Sequence, residues 1–243
     1  MTKRTLLRIA GPDAGHFLHG LLTRDVPETG LGYAALLTPQ GKYLADFLTF
    51  REGDAFVLDV AGDLAPAVAQ RLGMYKLRSK VEIAAEAARV ARGTGPAPDG
   101  AMSDPRPGMG WRLYGSDGDG DGDGDDGTDW DAVRVENMVP ETGIELVPNE
   151  SYILEMGFER LGGVDFRKGC YVGQEVTARM KHKTELRKGL ARVQGNAVPG
   201  AEITASGRPI GIVHTVAGDR ALAYLRFDRI EGMEADGAPL TLA

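Results

Sequence analysis

Short, largely apolar stretches fill the first part of the chain, and turn-forming residues separate them. Such stretches between turns predict β-strands. The stretches lie at residues 5–10, 33–37, 42–50, 55–60 and 80–84. Turns at residues 38–41 and 52–54 join successive stretches, so we expect antiparallel hairpins.

Apolar residues also recur at helical spacing between these stretches. The first predicted helix follows Gly11-Pro12-Asp13, and its apolar face comprises Phe17, Leu18, Leu21 and Leu22. A second helix is predicted after Asp63, which is a suitable N-cap residue, and repeats Leu64, Val68 and Leu72 on one side. Hairpins with helices between them favour an α+β fold with a largely antiparallel sheet.

The second half of the chain contains a predicted helix and then a series of short strands. The helix covers residues 129–138, in which Arg134 and Glu136 point to different sides. The strands are predicted at residues 189–193, 201–205, 210–216 and 220–227. Short strands at such regular spacing are typical of a small β-barrel or a curled sheet with its own core.

The acidic residues are concentrated in one low-complexity segment. The chain has 28 Lys+Arg and 35 Asp+Glu, a formal net charge of −7. Eight acidic residues and no basic one lie between Asp117 and Asp131, so the remainder is close to neutral. Residues 115–129 contain no apolar residue and are predicted to form a mobile Asp/Gly-rich insert. An EF-hand loop starting at Asp117 would place Thr128 where glutamate is needed, which disfavours a calcium site.

Composition excludes or disfavours several classes of protein. The single cysteine, Cys170, excludes an intrachain disulfide, a multi-cysteine zinc site and an iron–sulfur cluster bound by this chain's thiolates alone. No run approaches the roughly 20 apolar residues of a membrane helix. The acidic balance disfavours nucleic acid as a partner. We therefore expect a soluble, cytoplasmic protein that binds neither nucleic acid nor a membrane.

Cys170 lies in a strongly basic part of the sequence. From Arg160 to Arg192 there are nine basic residues and three acidic ones. The spacing of Tyr171 and Glu175 predicts a helix that starts beside Cys170, where the helix dipole and the neighbouring cations would favour a thiolate. The alternative is a small buried cysteine within a solvated basic face.

Spacing alone assigns no partner to Cys170. A Cys–His nucleophilic site would need one of the four histidines, which are His16, His19, His182 and His214. His16 and His19 are three residues apart on a predicted helix, but the sequence supplies no third ligand beside them. We therefore assign no metal site.

The sequence around Cys170 resembles a known family. Residues 168–179, K-G-C-Y-V-G-Q-E-V-T-A-R, are similar to the K-G-C-[FY]-x-G-Q-E motif of the YgfZ family of folate-binding proteins. This family is related to the T-protein (aminomethyltransferase) of the glycine cleavage system and includes mitochondrial iron–sulfur assembly factors. A match of this length around one cysteine is highly specific.

Three further segments carry the same resemblance. Residues 11–26 are similar to the family's G-x-D-A-x-x-F-L-Q-G-x-x-T-x-D-V segment, with His19 in place of the usual glutamine. Residues 37–47 resemble its P-x-G-K hairpin. Residues 134–140 resemble its R-x-E-x-G-x-P segment, with Met138 in place of glycine. The resemblance covers nearly the whole chain except the Asp/Gly-rich insert.

The resemblance implies an α+β, T-protein-like fold, with two interlocked α+β subdomains around a central channel in residues 1–188 and a C-terminal β-barrel in residues 189–243. It implies tetrahydrofolate, or a one-carbon derivative of it, as the cofactor in that channel. Glu136 could bond the N–H groups of the pterin. The other implied cofactor-binding residues are Arg134, Lys168, Tyr171, Gln174 and Glu175. Cys170 is the candidate reactive thiol.

The function implied is that of an accessory protein in the assembly or repair of iron–sulfur enzymes. Its partners would be folate and iron–sulfur client enzymes or assembly proteins, and the sequence leaves the oligomeric state open. A pure folate-binding scaffold with an inert Cys170 is one alternative, and a tetrahydrofolate-dependent aminomethyltransferase or other one-carbon transferase is another. T-proteins carry adjacent aspartates, one of them catalytic, where this chain has Ala45 and Asp46. Loss of a carboxylate that handles a proton costs orders of magnitude in rate, which disfavours a classical aminomethyltransferase.

Overall fold

The computed structural model describes residues 3–87, 89–115, 126–183 and 186–243. This part of the chain forms three antiparallel sheets and four α-helices. None of these helices is long and apolar enough to cross a membrane. Most of the predicted insert at residues 115–129 lies outside the described residues, so its mobility stays a prediction.

Five strands form the first sheet. They are β1 (Arg4–Ala10), β2 (Gly32–Leu37), β3 (Tyr43–Glu52), β4 (Ala55–Ala61) and β5 (Glu82–Ala87). Their order is β2-β3-β4-β1-β5, and every neighbouring pair is antiparallel. All five strand predictions are confirmed, with ends that differ by at most three residues.

Two helices, α1 (Ala14–His19) and α2 (Ala65–Lys76), pack on one face of this sheet. Phe17 of α1 and Leu72 of α2 belong to one core with the apolar residues of β1 and β4. The predicted Asp63 cap is wrong, because Leu64 occupies the N-cap position and Asp63 is exposed outside the helix. A proline in the first turn of α2 favours the helix there, because its ring fixes φ near the helical value.

The second sheet and a third helix lie against the other face. The strands β6 (Arg89–Gly93), β7 (Met102–Ser103) and β8 (Trp111–Gly115) have the order β6-β8-β7, and α3 (Trp130–Asn137) follows them. A second core joins these elements to the first sheet. Its buried members include Tyr33, Leu48, Trp130, Val139 and Phe158.

The third helix, α3, confirms the prediction made for residues 129–138. The side chain of Asp129 caps it by accepting a hydrogen bond from the backbone N–H of Ala132 at 3.0 Å. Arg134 is buried and Glu136 is exposed, so the two residues lie on different sides of the helix, as predicted.

The segment of residues 165–173, called here the cysteine loop, precedes α4 (Gln174–Lys183). The helix is confirmed, but the prediction that Cys170 lies at its N-terminus is wrong, because a turn separates Cys170 from Gln174. Gly173 has a φ of 85°, and a side chain there would come within 2.7 Å of the carbonyl oxygen of Thr38. The glycine is therefore required where the loop meets the β2–β3 hairpin.

Seven strands form the C-terminal sheet. They are β9 (Lys188–Gln194), β10 (Glu202–Ala205), β11 (Arg208–Ala217), β12 (Arg220–Arg226), β13 (Met233–Ala235), β14 (Ala238–Pro239) and β15 (Thr241–Leu242). Their order is β14-β13-β10-β11-β12-β9-β15. Only Leu240 separates the two end strands in sequence, so the sheet curls into a nearly closed barrel with its own buried core.

Candidate functional site

A network of buried charged side chains lies between the first and second sheets. Asp59 on β4 accepts hydrogen bonds from Arg4 Nε at 2.6 Å and from the Tyr114 hydroxyl at 2.9 Å. Arg112 on β8 connects Asp59 to Asp104, with N–O distances of 3.3 and 3.2 Å. Each buried charge has an opposite charge beside it, which offsets the cost of removing it from water.

Arg106 extends this network towards a small cavity. Its guanidinium donates to both carboxylate oxygens of Asp104, at 3.0 and 2.7 Å. Burial acts to raise the pKa of Asp104, but Arg106 and then Arg112 outweigh it and hold that pKa below its usual value. The same Arg106 guanidinium lies 5.1 Å from the centroid of the Tyr33 ring, at the edge of the cavity.

Asp46 on β3 lines this cavity, together with Glu141. The Oδ2 of Asp46 accepts a hydrogen bond from the Tyr33 hydroxyl at 3.0 Å, and its Oδ1 accepts bonds from the hydroxyls of Tyr43 and Thr142, at 2.7 Å each. Burial, and then the negative charge of Asp46, raise the pKa of both tyrosines well above the usual value. Three hydroxyl groups therefore converge on the carboxylate of Asp46.

Adjacent residues of β3 face opposite sides of the sheet. Ala45 is fully buried in the core beneath α1 and α2, whereas Asp46 lines the cavity. The sequence argument against transferase chemistry depended on Ala45. A carboxylate nevertheless lines the cavity, because it comes from the following position.

A larger cleft shares Arg92 and Glu141 with the cavity. The cavity has a volume of about 20 Å³, which is room for one water molecule and not for a pterin ring. The cleft has a volume of about 730 Å³, which is within the range of small-molecule sites. Its lining also includes Trp130, Asp131 and Arg134 of α3. Of these two spaces, only the cleft has the volume of a small-molecule site.

Arg134 connects the cleft to the barrel. Its guanidinium donates to Asp131 at 3.0 Å, to Glu145 at 2.5 Å and to the hydroxyl of Thr215 on β11 at 3.1 Å. The side chains of Arg134 and Glu145 are almost inaccessible to solvent. Most of the donors of Arg134 are thus used inside the protein, and its first role is structural.

Glu136 lies on the other side of α3, where the helix meets the barrel. Its carboxylate pairs with Arg192 on β9 at 3.1 Å and with Arg220 on β12. Arg192 also donates to the backbone carbonyl of Glu136 at 2.7 Å. A ligand that bonds the Glu136 carboxylate would therefore compete with two arginines.

Lys168 is buried at the base of the cysteine loop, with a side chain that is 2% exposed. Its Nζ donates to the carbonyl oxygens of His19 and Leu22, at 2.8 and 2.7 Å, and pairs with Asp25 at 3.1 Å. Burial lowers the pKa of Lys168, and Asp25 opposes that shift without cancelling it. An ammonium group has three N–H donors, and these three acceptors engage all of them.

The remaining residues of the motif have separate environments. Cys170 is exposed, and Tyr171 is buried in the second core, where burial raises its pKa to about 12. Gln174 donates to the carbonyl oxygen of Gly169 at 3.3 Å and so braces the loop. Glu175 is exposed on α4.

The structure therefore separates the predicted site residues into two groups. Arg134 and Glu136 lie on α3, next to the cleft and the barrel. The other five lie in the cysteine loop or in the first turn of α4, and they are Lys168, Cys170, Tyr171, Gln174 and Glu175. Their roles in folate binding stay predictions. Among the residues that the structure describes, no group of three or more His, Cys, Asp or Glu side chains could hold a metal ion.

Comparison with solved structures identifies the fold. The chain superimposes on glycine cleavage system aminomethyltransferase T from Bartonella henselae with a TM-score of 0.75, covering 99% of this chain and 83% of that chain at 15% sequence identity. The predicted T-protein-like α+β fold is thus confirmed. Residues 187–243 match the family model described as the CAF17 C-terminal beta-barrel domain, which confirms the barrel.

Comparison with curated sequences identifies the family. The mitochondrial iron-sulfur cluster assembly factor IBA57 of Homo sapiens is 33% identical over 290 residues, covering 99% of this chain and 81% of that protein. The protein of the same name from Mus musculus is 33% identical over 276 residues, covering 94% of this chain and 77% of that protein. The chain belongs to the IBA57 family of iron–sulfur cluster assembly factors. The predicted relationship to such factors and to T-proteins is confirmed.

The names of these relatives also bear on location. The human and mouse proteins are both described as mitochondrial. The cytoplasmic location expected from the composition of this chain therefore stays a prediction.

Proposed function

We propose that this protein is a tetrahydrofolate-binding accessory factor for the assembly or repair of iron–sulfur enzymes, with Cys170 as a reactive thiol. The observation that carries the proposal is the 33% identity to an iron-sulfur cluster assembly factor over 99% of the chain. Its partners would be iron–sulfur client enzymes or assembly proteins.

The chemistry of the cleft supports the folate part of the proposal. Glu141 and Asp131 supply carboxylates suited to the amino and ring N–H groups of a pterin. Lys3 and Arg92 line the same cleft and would attract an anionic glutamate tail. Glu136, the carboxylate proposed from the sequence, would bond the pterin only after its ion pairs with Arg192 and Arg220 are broken. When bound, tetrahydrofolate would supply a carrier for one-carbon units.

The exposure and surroundings of Cys170 support its role as a reactive thiol. Its side chain is exposed, and Lys168 and Arg167 precede it in the loop. Buried structural cysteines are inert, whereas reactive ones lie in accessible, electropositive surroundings. The bonds made by Lys168 fix the loop against the end of α1, so the thiol is presented from a rigid backbone.

Calorimetry with tetrahydrofolate tests the cofactor. The full chain should bind, Glu141→Gln should weaken binding about tenfold because a charge-assisted hydrogen bond is lost, and Glu136→Ala should weaken it as well. Glu234→Gln, which removes an exposed carboxylate from β13, is the matched control and should bind as wild type does. No binding by wild type contradicts the folate proposal. Full binding by Glu136→Ala would rule out only the role of Glu136 in folate binding.

A gene deletion tests the assembly role. Activities of radical-type iron–sulfur enzymes in extracts should fall in the deletion strain and return with the wild-type gene. The Cys170→Ser gene should fail to restore them, because its hydroxyl remains protonated where the thiol ionises. Unchanged activities in the deletion strain would count against the assembly role.

Asp46 favours a second function, tetrahydrofolate-dependent aminomethyl or other one-carbon transfer. The cavity that Asp46 lines shares Arg92 and Glu141 with the cleft, so a carboxylate lies next to the proposed folate site. A carboxylate is the group that such a reaction would use to handle a proton. The test is transfer of an aminomethyl group from the lipoyl carrier to tetrahydrofolate, with Asp46→Asn as the variant that should lose it. An inactive wild-type protein that binds tetrahydrofolate would reject this second function and leave the first intact.

A further inference from the structure

The cysteine loop is attached to the end of α1 by contacts on both sides of Cys170. On one side, Lys168 Nζ donates to the carbonyl oxygen of His19 at 2.8 Å. On the other, the backbone N–H of Val172 donates to the carbonyl oxygen of Gly20 at 3.2 Å. Cys170 lies between these two contacts and is exposed. The segment that carries Cys170 is therefore held against the end of α1, which carries His19.

The imidazole of His19 is oriented towards this loop. Its Nδ1 lies 2.9 and 3.1 Å from the two carboxylate oxygens of Asp25, and Asp25 also pairs with Lys168 at 3.1 Å. Its Nε2 faces Gly169, since a methyl group on that residue would come within 2.9 Å of Nε2. The absence of a side chain at Gly169 thus gives the imidazole its place beside the residue that precedes Cys170.

We propose that His19 is the proton acceptor for the thiol of Cys170, and that Asp25 is its positioning residue. The proposal rests on the part of the proposed function that makes Cys170 a reactive thiol. Asp25 holds the proton on Nδ1, which leaves the lone pair of Nε2 free to accept one. The thiol proton moves from Sγ to Nε2, and the thiolate then displaces the leaving group of an alkylating electrophile, such as the iodide of iodoacetamide. The imidazolium is stabilised by the Asp25 carboxylate.

Other charged groups around this pair balance one another. Within the loop, Asp165 pairs with Arg167, which is 95% exposed. On α4, Glu175 pairs with Arg179 at 2.7 Å. Arg24 bonds the carbonyl oxygen of Gly162, and Lys168 is bound to Asp25. His16, on the same helix as His19, is exposed and serves as a matched control.

Alkylation of Cys170 by iodoacetamide tests the proposal, because the chain has one cysteine and intact mass reports that residue alone. Rates are measured from about pH 6 to about pH 9.5 for wild type, His19→Gln, Asp25→Asn and His16→Gln. At pH 7 the His19→Gln rate should be about tenfold below wild type, because glutamine cannot take the thiol proton. At about pH 9.5 the rates should converge, since the thiol ionises there without a base. His16→Gln should follow the wild-type profile.

The outcomes separate the two proposals. A His19→Gln profile that superimposes on wild type overturns the role of His19, and so does a decrease by the same factor at every pH, which is the result of a purely structural role. A wild-type rate at pH 7 no greater than that of free cysteine contradicts the reactive thiol of the proposed function. Asp25→Asn should reduce the alkylation rate less than His19→Gln does, because Asp25 acts through His19. The reduction should be largest near pH 7.

Discussion

The hydroxyl of Tyr33 on β2 donates a hydrogen bond to the carboxylate of Asp46 on β3 across 3.0 Å, and both side chains line the cavity between the two sheets. This bond identifies the face of β3 that is turned towards the cavity. Ala45, one residue earlier, is turned towards the opposite core.

Ala45→Asp should therefore fail to create a transferase. The new carboxylate would enter an apolar core at a position with 0% exposure, where it would be unpaired. We expect the free energy of unfolding to fall by about 3–5 kcal/mol, as measured by urea denaturation. Ala45→Val, which adds volume without charge, is the control and should cost less. A stable variant that transfers aminomethyl groups would contradict the orientation of β3.

Arg134→Met should destabilise the contact between α3 and the barrel. Glu145 would lose its cationic partner while its side chain remains fully buried. The expected loss is about 3–5 kcal/mol in urea denaturation. Adding Glu145→Gln should recover part of that loss, because the double variant no longer buries an unpaired charge. No recovery in the double variant would mean that the stability comes from the other bonds of Arg134.

Asp104 should contribute to stability at neutral pH and lose its contribution in acid. Its pKa in the folded state lies below the usual value of 3.8, because Arg106 and Arg112 outweigh the effect of burial. The unfolded chain therefore binds a proton more readily, and stability falls as the pH drops through the folded-state pKa. Asp104→Asn should be less stable than wild type at pH 7, with a difference that narrows below about pH 4. If the stability difference between Asp104→Asn and wild type stays constant over this pH range, the lowered pKa of Asp104 is contradicted.

Replacing residues 116–125 by a short Gly–Ser linker should leave tetrahydrofolate binding unchanged. The segment has no apolar side chain to bury, and its like charges repel one another. The shortened protein should keep Asp126, whose carboxylate accepts a hydrogen bond from the backbone N–H of Thr94 at 2.9 Å. Calorimetry is the measurement, and lost binding would assign the segment a role in the site.

The fold was largely predictable because its elements are local. Short apolar stretches between turn-forming residues identified the strands of the first sheet, and the regular spacing of the last strands identified the barrel. The predicted start of α2 is wrong by one residue, because Asp63 is a residue type that commonly caps helices. The proline in the first turn and the packing of the helix instead place its N-cap at Leu64. Cys170 was placed too close to α4 because the turn before Gln174 depends on the contact of Gly173 with the β2–β3 hairpin.

The site was less predictable because it depends on contacts between distant segments. Asp59 meets Arg4 and Arg112 through three strands that lie far apart in sequence, and composition gives no sign of this. One signal was present for Asp46, since alternation along β3 already places Ala45 and Asp46 on opposite faces. Lys168 was assigned to the ligand on the basis of its motif, whereas its three bonds are made to the end of α1 and the residues that follow it.

Arg134 serves the cleft and the barrel with one guanidinium group. A ligand that draws Asp131 or Glu141 away from Arg134 changes the bonds that Arg134 makes to Glu145 and Thr215. Such a ligand would therefore link occupancy of the cleft to docking of the barrel, and the linkage would be reciprocal. A partner protein that grips the barrel would alter the affinity of the cleft, and a ligand in the cleft would alter the affinity for that partner by the same factor.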